Sequence, residues 1–281
     1  MPKAYRGMTY LLQQALNAIQ LGSIYALIAL GYTMVYGILL MINFAHGDFF
    51  MVGAFICFVV VTFMELPFTL ALVISMLGVS VLGMIVERLA YRPLRQAPRV
   101  SAIITALGVG IFLENLTLAI SPYPKHIPPL IENTTFNPGG VAVSSLQLII
   151  ITLSLTLMAA LHFIVHHTRV GIAMRAISWD KNIVPLMGVP VNRIISITFA
   201  LGGALGGAAG MMYGMAYPVI DPYMGIIVGW KAFISAVVGG IGNIRGAVVG
   251  AISSGRSRSS LPRSSRQHTA ISWPSRCCSC S

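Results

Sequence analysis

From residue 10 to residue 41 the chain carries no charged side chain. A helix over that stretch is longer than the roughly 30 Å of hydrocarbon in a bilayer requires. It is either one tilted helix or a helix followed by a half-helix that breaks near Asn43-Phe44-Ala45-His46-Gly47-Asp48. Further apolar runs follow at about 49–64, 67–86, 101–120, 146–165, 194–216 and 226–241. Only 9% of the residues are charged, against about 25% in a soluble domain. The expectation is an all-α polytopic membrane protein with about seven transmembrane helices as written. Residues 1–10 are short and weakly basic, and no small-residue cleavage site follows the first run. That run is expected to remain as a span and not to leave as a signal peptide.

The loops orient the spans. Arg88, Arg92, Arg95 and Arg99 follow the third run, and Arg169, Arg175, Lys181 and Arg193 lie in the segment 166–193. The positive-inside bias puts both segments in the cytoplasm. The loop 121–140 and the short loop with Asp221 then face outward. The N-terminus falls outside if residues 10–41 cross once, although Lys3 and Arg6 weigh against that side. A formal charge of +11 would suggest nucleic acid in a soluble protein. Here it marks cytoplasmic loops, so no nucleic-acid partner is expected.

Few residues offer chemistry. Asn43, His46 and Asp48 form a polar island between apolar runs. Ionisable groups at membrane depth are costly and point to function; the alternative is a helix break at the water interface, with Gly47 supplying the turn. Glu114 and Asn115 lie inside the run 101–120, where they either line a translocation path or hydrogen-bond between helices. Gly202, Gly206, Gly210 and Gly214 recur every fourth residue, with Gly203 and Gly207 beside them, a register that lets another helix approach closely. Cys57, the only cysteine before the last five residues, reads as a small core residue. The His residues show no metal-ligand spacing. The run from Gly240 through Gly242 to Gly246 misses the dinucleotide fingerprint and reads as a tight turn between spans. There is no G-x-x-x-x-G-K-[ST] and no G-x-S-x-G, so the chain is not expected to be an enzyme. The segment 171–189, GIAMRAISWDKNIVPLMGV, suits short amphipathic helices. Such helices would either pass movement from a separate motor into the spans or remain solvated and bind nothing.

These motifs together resemble the permeases of branched-chain amino acid ABC transporters. LGSIYALIALGYTMVYG at 21–37 with MINFAHGD at 41–48 is similar to the family's N-terminal signature. ERLAYRP at 87–93 is similar to its next cytoplasmic segment, and KAF at 231–233 with VVGGIG at 237–242 to its late glycine-rich turn. Gly171, Arg175, Ala176, Leu186 and Gly188 fall where the family has its coupling loop, and Asp180 lies among them. The resemblance spans about residues 10–252. It implies a multi-pass subunit of a bacterial inner membrane and a second, homologous permease beside it. It also implies two cytoplasmic ATPase subunits that use ATP and Mg, and a periplasmic binding protein that delivers leucine, isoleucine or valine. No cofactor is then expected on this chain. Related permeases carry urea or other amides. A stand-alone channel or secondary carrier is the competing class; it would show internal repeats and mid-span carboxylates, and no clear repeat is visible.

Residues 1–252 therefore read as one transmembrane domain, and 253–281 as something else. That tail holds eleven Ser, five Arg, three Cys and no acid. Reading each codon pair of residues 267–281 across its boundary permits TYRDIVAFSLLFLF, a polar turn followed by an apolar run. Two letters are forced: Trp273-Pro274 must give Ala, and Cys277-Cys278 must give Leu. A frameshift near 252–258 is the expectation, with eight or more spans if the frame is restored. The rival is a basic tail on anionic lipid.

Overall fold

The computed structural model describes residues 3–39, 41–95, 97–131, 134–136, 141–180, 183–240 and 246. The tail 253–281 and most of the glycine turn after Gly240 lie outside the described residues.

Helix α1 is one continuous element, Lys3–Leu39, so the first run forms a single helix and not a helix followed by a half-helix. The chain turns over residues 41–45, and α2 (His46–Met64) begins at the polar island. Glu65 ends α2 in a left-handed conformation, φ 51°. Pro67 precedes α3 (Phe68–Val86), where its missing N–H costs no hydrogen bond. A π-helical turn at Glu87–Tyr91 continues α3. Its extra residue turns Glu87 into the protein, where the side chain is 1% exposed. Arg95 forms an ion pair with it, Ser196 Oγ donates to it at 2.5 Å, and Arg95 also donates to Asn192 at 2.5 Å. The arginine loop is thus tied to the start of α7. Burial lowers the Arg95 guanidinium pKa below its ordinary value, while the Glu87 carboxylate acts the other way.

Helices α4 (Arg99–Ile120), α5 (Ser145–His167), α6 (Arg169–Trp179), α7 (Val191–Ala216) and α8 (Met224–Gly239) complete the bundle. In lipid a helix satisfies its own backbone. Among the described residues, six helices are long and apolar enough to cross a membrane, and α8 is a shorter apolar helix. Large apolar side chains such as Phe63, Ile104, Phe112 and Phe163 are exposed on the outer faces, as lipid contact requires. The all-α expectation needs one addition. The two-residue strands β1 (Lys125–His126) and β4 (Val219–Ile220) pair antiparallel, as do β2 (Thr135–Phe136) and β3 (Val143–Ser144). The first pair ties the loop after α4 to the loop after α7.

Helix α7 is the packing axis, but its glycines divide differently from the fourfold register. A Cβ on Gly203 would stand 2.5 Å from Val79 O and one on Gly207 2.6 Å from Ser75 O, so this pair meets α3 backbone to backbone. Gly210 abuts Phe50 O of α2, and Gly214 meets the Ile127 side chain. Gly202 and Gly206 have ordinary room, with nearest atoms 3.5 and 3.6 Å from a Cβ. Ser75 Oγ stitches the seam, reaching Gly53 O at 2.8 Å and Gly207 O at 3.2 Å.

Candidate functional site

The polar island forms because α2 starts partway through the bundle. Gly202 and Gly206, near the middle of α7, lie against His46, with a Cβ 3.7 and 3.6 Å from its Cε1. Gly110, near the middle of α4, lies against Asp48. The helix break is therefore real, but it stands at the half-height of its neighbours and not at their ends. Asn43, His46 and Asp48 are 2%, 1% and 5% exposed. Tyr91 donates to Asn43 Oδ1 at 2.7 Å. Asn43 Nδ2, His46 Nε2 and Asp48 Oδ1 are buried without a hydrogen-bond partner. The His46 ring packs edge-on against Tyr32 and Phe49 and crowds Gly31.

Asp48 opens onto a cavity of about 150 Å³ between α1, α2, α4 and α8. Glu114, 7% exposed, lines the same cavity. Helix α8 packs closely against the start of α2. A Cβ on Gly229 would stand 2.8 Å from Gly47 Cα, and one on Gly225 2.6 Å from Asp48 Oδ1. Phe44, Trp230 and Phe233 form an aromatic wall, with Phe44 centred 5.6 Å from Trp230 and 5.4 Å from Phe233. Asn115 does not join the site. It is exposed and donates to Ile111 O of its own helix at 2.8 Å.

The second group of candidates lies at the other end of the bundle from the β-strands. Thr168 caps α6, its Oγ accepting from Gly171 N at 3.2 Å. Gly171 is pressed on Val165 O, where a side chain has no space. Met174 and Ile177 bury the inner face of α6. Arg175 is exposed and reaches His166 O at 3.5 Å, with Ala176 beside it half-buried. Asp180 accepts from Ile183 N at 3.2 Å. A short 3-10 turn, Val184–Met187, follows, and Gly188 ends it at φ 79°. Leu186 is 85% exposed. The sequence reading missed Trp179 and Met187, which are 94% and 77% exposed. It also missed Tyr32, Phe44, Trp230 and Phe233. The i, i+3 spacing of Trp230 and Phe233 was the available signal.

A family model described as the branched-chain amino acid transport system permease component matches residues 14–262. The high-affinity branched-chain amino acid transport system permease protein BraD of Pseudomonas aeruginosa is 40% identical over 265 residues, covering 90% of this chain and 85% of the relative. LivH of Escherichia coli K12, of the same description, is 38% identical over 260 residues, with 86% and 83% covered. A probable branched-chain amino acid transport permease LivH of Methanocaldococcus jannaschii is 25% identical over 244 residues, covering 83% of this chain and 76% of the relative. No solved structure matches.

Proposed function

The chain belongs to the branched-chain amino acid transport permease family, and we propose from that premise that it is the permease subunit of an ATP-driven importer. Its substrates are branched-chain amino acids, and its site is the bacterial inner membrane. One observation carries the reading of how it works. Among the described residues, Asn43, His46 and Asp48 are buried polar groups at mid-height, and Asp48 shares a cavity with the carboxyl group of Glu114. Polar groups at that depth are retained for a pathway more readily than for stability.

Coupling belongs to the α6 hairpin. The exposed apolar side chains of Trp179, Leu186 and Met187, with Arg175 on the exposed face of α6, suit docking into a groove of an ATPase subunit. A cleft lined by Arg88, Arg92 and Arg193 beside it offers complementary charge to an acidic rim. The machine then comprises this chain, a second homologous permease, two ATPase subunits and a periplasmic binding protein. ATP and Mg act on the ATPases, and this chain needs no cofactor of its own.

Among the described residues, the buried Asp48–Glu114 pair favours a carrier, because coupling ions bind such groups. Uptake of labelled leucine into proteoliposomes separates the two. The importer requires ATP, the ATPase subunits and the binding protein together. Uptake that persists without ATP contradicts it.

A further inference from the structure

Asp48 is more than nine-tenths buried, lines the cavity, and has one carboxylate oxygen with no partner. Glu114 faces it. None of the thirteen residues that line the cavity is a Lys, Arg or His. Two carboxyl groups at membrane depth repel when both are ionised and are costly without a countercharge. The lining supplies none, so the pair is neutralised either by protons or by the cationic group of a ligand. We propose that the Asp48–Glu114 pair receives the α-ammonium group of the transported amino acid, while Phe44, Trp230 and Phe233 hold its apolar side chain. This rests on the importer reading and adds the part of the substrate that the permease itself grips.

The chemistry favours an organic ammonium over a bare metal cation. Hard cations take six or more oxygen ligands, and the described residues hold no group of three metal-ligating side chains. An ammonium needs only three acceptors, and two carboxyl groups offer four oxygens. The aromatic wall attracts a cation through its ring faces and sheds water from an aliphatic chain. The glycines are part of the site. Asp48 Oδ2 stands 2.6 Å from where a Cβ on Gly110 would be, and Oδ1 2.6 Å from one on Gly225. Any larger residue at either position would displace the carboxylate.

Two measurements on the complete importer in detergent or proteoliposomes test this. In the first, thermal stabilisation of the wild-type complex without its binding protein is compared for 3-methylbutylamine, which keeps the ammonium, and 4-methylpentanoate, which keeps only the carboxylate. The amine is expected to stabilise and the acid not, and Asp48→Asn is expected to abolish the difference. Equal effects of the two ligands, or an amine effect that survives in Asp48→Asn, overturn the proposal without needing any variant to transport. In the second, ATP-driven leucine uptake in Asp48→Asn and Glu114→Gln is expected to fall about tenfold or more, while binding-protein-stimulated ATP hydrolysis persists. Unchanged uptake in both variants overturns the ammonium site and leaves the importer standing. Wild-type failure to take up any branched-chain amino acid, with amine binding through Asp48 intact, overturns the importer substrate instead and supports the ammonium site.

Discussion

Gly206 and Gly207 are neighbours on α7 and look in different directions. Gly207 faces α3, where a Cβ would stand 2.6 Å from a backbone oxygen and Ser75 hydrogen-bonds across the seam. Gly206 faces His46, with ordinary room around it. On the first side, backbones touch and the buried hydroxyl of Ser75 has its partners. On the second, Asn43, His46 and Asp48 are as deeply buried but each keeps a polar atom unpaired. The difference separates the part of the bundle that holds its shape from the part that meets a ligand. Satisfied polar groups in lipid stabilise modestly. Unsatisfied ones cost free energy, and that cost is offset only when something binds.

The sharpest way to break this comparison is to add one methyl on each side. Gly207→Ala and Gly210→Ala force a Cβ into backbone oxygens of Ser75 and Phe50, and are expected to destabilise the bundle by about 3 kcal/mol, read as lost folded yield and a lowered Tm in detergent. Arg175→Glu comes next, and its effect is on transport alone. Uptake should be lost while ATP hydrolysis and Tm remain, and normal uptake would remove Arg175 from the coupling role. Ser75→Ala removes the stitch between Gly53 and Gly207 and should cost about 1 kcal/mol, visible as a small Tm shift with uptake intact. Gly206→Ala and Asn115→Ala should leave Tm unchanged, the first because a Cβ has ordinary space, the second because its amide serves only its own helix. A Gly206→Ala variant as unstable as Gly207→Ala would erase the distinction between the two faces.

Much of this was legible in the sequence because lipid leaves few alternatives. The spans followed from apolar length, and the break at His46 from the polar island between two runs. Rotation about a helix axis was not legible. Glu114 and Asn115 are adjacent, so one full residue step carries one into the cavity and the other away from it. The glycine pattern announced close packing, yet periodicity of four does not distinguish Gly203 and Gly207 against α3 from Gly202 and Gly206 against His46. The depth of the island depends on which neighbours α2 meets, and that is set by contacts from α4, α7 and α8. The π-helical turn that buries Glu87 shifts the register by one residue and leaves no periodic trace. For residues 253–281 the codon argument stands by itself, and mass spectrometry of the C-terminal peptide decides whether the Ser- and Arg-rich tail is made.

The central claim is that the turn at mid-height, and not the packed seam beside it, carries the substrate in an ATP-driven importer. The initial rate of ATP-dependent leucine uptake by proteoliposomes holding the complete importer with Asp48→Asn, read beside its Tm, tests this most directly. A rate lowered about tenfold or more at an unchanged Tm is the predicted result. Wild-type uptake in that variant, or a loss of uptake matched by a loss of fold, would contradict it.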